Sequence, residues 1–225
     1  MSRGRAFWDM IWPMLVFLGC SSIVSAAMVM IGTLWFIAEK GVNPYEKVMS
    51  LLLPMELISF GVIVVVQFLF WKHDDRRFGK EQSRMAAWKS ILGILIVCGA
   101  AIVGNILLSN ERLNELFPAY DKILEMTFSG QSTALIVVVL GILGPLGEEL
   151  TFRGLSLRRA LHSMEPWRAI VLTALFFGLF HMNMIQFLYA FPLGILFGIL
   201  YYKSGKLWPP AVAHMAANLI VILLF

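Results

Sequence analysis

The chain has 225 residues, of which 59% are hydrophobic and only 14% charged, with a formal net charge of +4. A mean hydropathy of +0.79 excludes an ordinary soluble domain, in which about a quarter of the residues are charged, and nothing in the sequence points to nucleic acid as a partner. The lipid bilayer is the solvent this chain is built for.

Crossing ~30 Å of hydrocarbon takes roughly 20 apolar residues, so the chain has room for about seven spans, an all-α polytopic transmembrane bundle forming a single membrane domain over residues 1–225. The apolar runs are continuous rather than alternating, which favours helices over a barrel. Cys20 and Cys98 both lie inside apolar runs, which argues against a disulfide framework and a cysteine metal site.

In chain order, Arg3 and Arg5 precede an apolar run over 11–38, far longer than a signal-peptide core of roughly 7 to 15 residues, so an uncleaved first span is expected. Phe17-Leu18-Gly19-Cys20 is only superficially like a lipoprotein cleavage box, because the apolar pattern runs on past the cysteine. The remaining predicted spans cover 48–71, 88–108, 132–152, 167–182, 184–202 and 208–225. Lys72, Arg76, Arg77, Lys80, Arg84 and Lys89 fill the linker after the second span, and Arg153, Arg158, Arg159 and Arg168 follow the fourth. The positive-inside rule assigns both linkers to the cytoplasm, and simple orientation explains these charges better than recruitment of anionic lipids or acidic partners. Glu111, Glu115, Asp121 and Glu125 mark 110–130 as an outer segment, whose Leu113, Leu116, Phe117, Tyr120, Ile123 and Leu124 suit an amphipathic surface helix or a packed loop. Alternation then leaves the amino terminus in the cytoplasm and the carboxyl terminus outside, in what compactness suggests is a bacterial inner membrane.

Ionisable residues inside spans are costly, and by default they mark function or a paired structural role. Glu149 and Arg153, four apart with the acid first, fit a helical ion pair, while Glu148 points about 100° away. That leaves Glu148 free to face a cavity. His181 follows Phe177 by four residues, and Asn218 follows His214 by four, each pair on one helix face. With only four histidines in the chain, two in neighbouring apolar helices beside a double Glu and an Asn point to a site rather than to packing. Glu148 and His181 also lie 16 and 17 residues either side of Met164, so they share a level if helix four runs on through Arg158 and Arg159 to a turn at 162–166; a fifth span ending at Met182 would put His181 nearer the outer face unless the hairpin protrudes into the cytosol or helix five is short and tilted. His214 lies about a turn inside the last span, which suggests a site opening to the cytosol.

Glu148, Glu149 and Arg153, then Phe177 with His181, then His214 with Asn218, in this order on successive apolar helices, resemble the motifs of the CAAX protease and bacteriocin-processing family (CPBP, also called Abi) of intramembrane proteases, which includes the Ras-converting CAAX endopeptidases. The resemblance covers about residues 130–225, expected to be the catalytic core, and leaves the spans within 1–110 as accessory. It implies an endopeptidase acting on a membrane-associated protein or peptide, with Glu148 as general base holding a water with His181. His214 and Asn218 would bind the oxyanion, and Glu149 and Arg153 would support them. The residues suit such chemistry, which needs an activated water, a charge-stabilising site and a proton for the leaving amine. No cofactor is expected. Zinc held by Glu148, His181 and His214 is the less favoured variant, since Asn218 is a poor zinc ligand and a good oxyanion donor. Two other readings stay open: a non-enzymatic membrane immunity or regulatory protein, and a proton-coupled transporter with Glu56 and Asn105 extending its path.

Overall fold

A computed structural model describes residues 3–37, 43, 47–48, 50–108, 128 and 130–224. It is all-helical there: α1 (Arg3–Ile37), α2 (Leu52–Phe78), α3 (Ala87–Leu108), α4 (Thr133–Ala160), α5 (Pro166–Phe180), α6 (Met184–Ser204) and α7 (Trp208–Leu224). The outer segment 110–130, read as a surface helix or a packed loop, falls almost wholly outside the described residues.

Among the described residues the seven apolar runs are seven helices, of which α1, α2, α3, α4 and α6 are long and apolar enough to cross a membrane. With 15 residues, α5 rises only ~22 Å. Of the two ways to reconcile His181 with the level of Glu148, a protruding hairpin or a short and tilted fifth helix, the length of α5 agrees with the shortness the second asks for. It stops at His181, where the chain reverses through Met182 at φ 52°, and Asn183 caps α6 by accepting from the N–H groups of Ile185 and Gln186 at 2.9 and 3.2 Å.

The fourth helix runs past residue 152, where hydropathy ends the span, to Ala160, as the shared level of Glu148 and His181 asks; Arg153, Arg158 and Arg159 are buried and paired rather than looping into water. Arg159 donates to both carboxylate oxygens of Asp74 at 2.6 and 3.0 Å, and Arg158 donates to Asp75 at 3.1 Å. Helix α2 likewise extends past its expected end to supply those acids. Arg77 closes the set on Asp9 of α1 at 2.7 Å.

Proline inside α1 helps to explain this arrangement. Pro13 has no N–H, so the carbonyl four residues earlier, that of Asp9, lacks its helical donor. Arg159 Nη1 supplies one at 3.3 Å, and Gln67 of α2 donates to the Pro13 carbonyl at 2.8 Å. In hydrocarbon such groups must be satisfied by protein. The result ties the start of α1 to the ends of α2 and α4. Trp71 with Lys72, Trp88 with Lys89 and Trp167 with Arg168, each a cation beside an indole at 4.9 to 5.5 Å, mark the same end of the bundle as interfacial.

Met182 occupies a conformation that suits glycine, and its side chain is 91% exposed, so it gains little from packing within the chain. Met182→Gly should therefore raise the thermal unfolding midpoint in detergent, by about 1 kcal/mol of stability, and the β-branched Met182→Ile should lower it.

Candidate active site

The site is built on α4, whose backbone departs from the regular α-helix over Val137–Leu143 and Leu150–Leu157, where the turns are π-helical. Such wide turns displace the side chains that follow them and often accompany functional positions. In the first of them the Gly144 N–H bonds back five residues to the Val139 carbonyl. The next carbonyl, that of Leu140, would take its donor from residue 145, which is a proline. Asn218 of α7 fills the place, donating from Nδ2 at 2.9 Å. Gly141 lets α7 come this close, since a Cβ there would stand 2.6 Å from Leu219.

Between the two wide turns, Glu148 and Glu149 face different surroundings. Glu149 is fully buried, and Arg153 Nη1 donates to its Oε1 at 2.7 Å, as the spacing of four predicts. The same oxygen accepts from His214 Nδ1 at 2.9 Å, a contact that spacing does not predict. Arg153 is 1% exposed; its Nη2 donates to the Gly194 carbonyl of α6 at 3.1 Å, and its guanidinium lies over Phe177 and Phe197 at 4.5 and 5.1 Å. The cation therefore replaces its lost hydration with one carboxylate, one carbonyl and two aromatic faces. His214 stacks on the same Phe197 ring at 4.7 Å and 25°, so two aromatic walls and one carboxylate fix its plane.

Its other nitrogen, Nε2, points toward Glu148, 3.7 Å from Oε2. The Glu148 side chain is 17% exposed whereas that of Glu149 is 0%, so of these two carboxylates only Glu148 can meet a solvent water. His181 donates from Nδ1 to the Phe177 carbonyl at 2.9 Å, since a carbonyl only accepts. By the same logic His214 Nδ1 carries a proton toward Glu149. Both histidines thus leave Nε2 for chemistry. Both also meet the Phe177 ring edge to face, at 5.2 Å for His181 and 5.7 Å for His214.

Of the residues singled out in the sequence, Glu148, Glu149, Arg153 and His214 form one contiguous chain of contacts. His181 joins it through Phe177, and Asn218 sits one turn along α7 from His214 with its amide on Leu140. No hydrogen bond or ion pair links His181 directly to Glu148 among the described residues. Among the described residues no three His, Cys, Asp or Glu side chains group as a metal-holding set. Sequence reading missed Phe197 and the Gly194 and Leu140 carbonyls. Only the last had a usable signal, the proline five residues on.

Residues 130–220, which carry all six polar positions, match the family described as type II CAAX prenyl endopeptidase Rce1-like. Over this carboxyl-terminal part the chain is similar to that family. A second likeness agrees: the chain is 27% identical over 94 residues to the Bacillus subtilis (strain 168) protein named "Putative membrane peptidase YdiL", a match covering 42% of this chain and 38% of that protein. No solved structure matches. That family match begins just before α4, so α1, α2 and α3 lie outside it.

Arg153→Ala leaves Glu149 as a buried charge without its cation. Denaturant or thermal unfolding in detergent should show a loss of about 3–5 kcal/mol, the scale for breaking one side of a buried pair.

Proposed function

We propose that this chain is an intramembrane endopeptidase of the glutamate type, hydrolysing a peptide bond of a protein or peptide held in or at the membrane. The observation that carries this reading is His214, fixed between a buried carboxylate on Nδ1 and a part-exposed one facing Nε2. The likeness of residues 130–220 to type II CAAX prenyl endopeptidases supports it.

Glu148 takes a proton from a water that attacks the scissile carbonyl carbon, with His181 Nε2 accepting that water's second hydrogen bond. The carbonyl oxygen becomes an oxyanion. His214 donates to it from Nε2–H while Nδ1–H stays on Glu149, and Asn218 donates the amide hydrogen that Leu140 does not use. With His214 as an imidazolium, the charges of Glu148, Glu149, Arg153 and His214 sum to zero, which suits a site walled by Phe177 and Phe197. Glu148 then passes its proton to the leaving amine, so water is divided between the two products. No step needs a metal or other cofactor.

In this reading residues 130–225 are the catalytic core and 1–110 the accessory spans. The paired ends with their tryptophan and basic belt face the cytoplasm of a bacterial inner membrane, so the amino terminus is inside and the carboxyl terminus outside. The substrate is a membrane-associated polypeptide, and lipid surrounds the bundle.

Cleavage of a quenched fluorescent peptide library by detergent-purified protein tests the proposal. Glu148→Gln should lower kcat by about 10²–10⁴-fold, and Asn218→Ala by about 10²–10³-fold, in protein that remains folded. Activity should survive a chelator. Stoichiometric zinc lost together with activity, or full activity in Glu148→Gln, would overturn the mechanism.

A further inference from the structure

Helix α7 carries both His214 and Asn218, and its first turn is unusually poor in donors. Residues 208–210 read Trp-Pro-Pro, so Pro209 and Pro210 offer no N–H, and Ala211 N–H already bonds the Leu207 carbonyl at 3.2 Å. The N–H of Leu207, just before the helix, is taken by Glu81 Oε2 at 2.9 Å. Glu81 lies far away in sequence, in the connection between α2 and α3.

The rest of that connection is fastened to the same place. Glu81 Oε1 accepts from Tyr201 Oη at 2.9 Å and from Trp71 Nε1 at 3.4 Å, and Lys206 Nζ donates to the Glu81 carbonyl. Arg84 N–H bonds the Ser204 carbonyl at 2.8 Å. Gly205, at φ +68°, turns the chain directly beneath this strap, and a Cβ there would run into the Gln82 carbonyl. One carboxylate thus ties the end of α2, the end of α6 and the start of α7 together, with its negative charge at the positive end of the α7 dipole.

We propose that Glu81 is a positioning residue for His214: by capping α7 it sets how far that helix slides along α4, and so the distance of His214 from Glu149 and Glu148. His214 lies seven residues beyond Leu207, ~10 Å along a helix with no proline after Pro210, so a shift at the cap is carried to the imidazole. The catalytic consequence rests on the protease reading above; the geometric one does not.

Two substitutions reach the strap by different routes. Glu81→Gln replaces one acceptor oxygen with a donor that faces either the Leu207 N–H or the Tyr201 and Trp71 donors. Gly205→Ala leaves Glu81 intact but pushes the strap off the turn at Gln82. Exposed Lys80→Ala is the control. The readouts are kcat and KM on the cleaved peptide, and the ¹⁵N resonances of His214 in histidine-labelled protein in detergent.

Both variants should lower kcat by about tenfold or more with KM within about twofold, since a 1 Å misplacement costs up to ~100-fold. In both, the His214 Nδ1 resonance should move from its wild-type position, while Lys80→Ala changes neither readout. If Glu81→Gln does not fold, Tyr201→Phe, which removes one donor, should show the same changes in smaller degree. Folded variants with wild-type kcat and an unmoved His214 resonance would overturn the inference. Wild-type protein that cleaves nothing would instead defeat the protease reading, and the resonance would still decide the strap.

Discussion

The constraint on which the site depends is the burial of a guanidinium and a carboxylate together in the middle of a membrane protein. Neither Arg153 nor Glu149 retains meaningful contact with solvent, and each ion carries a desolvation cost of several kcal/mol. Apolar residues of similar volume could hold the helices together as well. What an apolar pair could not do is present a fixed acceptor to His214 Nδ1. That acceptor orients the imidazole and directs Nε2 at Glu148, so in the mechanism we propose the pair contributes through orientation more than through stability. Phe177 and Phe197 serve the same end, each touching both the guanidinium and the imidazole.

The surrounding fold shares the work between the two ends of the bundle. At one end the buried arginines, the acids of α1 and α2, and the Glu81 strap join helices distant in sequence through charge-assisted bonds. Toward the other, α5 stops short and the chain turns back at Met182, so His181 stands at the tip of a hairpin. The site lies between, where α4 loosens into π turns and α7 is held by Asn218 on one carbonyl of the first. Backbone that departs from α geometry appears here because a neighbouring side chain can satisfy it.

Most of the architecture was legible from hydropathy, because apolar runs of helix length have one stable solution in lipid. The ends of the helices were not. Charges at Arg153, Arg158 and Arg159 end the span by hydropathy, the level shared by Glu148 and His181 argues for a longer helix, and the acids on α2 with the freed Asp9 carbonyl are what hold these arginines within α4. Within the site, the Glu149 to Arg153 pair followed from spacing alone. The Glu149 to His214 bond did not, since it joins residues 65 apart through tertiary packing. The first three helices carry no family motif, yet Gln67, Asp74 and Glu81 from this part of the chain support α1, α4 and α7. Isolated polar residues near helix ends look like ordinary solvated positions until the partner helix is in place.

The most direct test of this account replaces the whole charge pair rather than half of it, as Glu149→Leu with Arg153→Met, and measures stability and peptide cleavage in the same preparation. If the pair exists to orient His214, the double variant should unfold within ~1–2 kcal/mol of wild type or later, yet lose cleavage by about 10–100-fold or more. A stable double variant that cleaves like wild type would contradict the claim that the buried ions position the histidine.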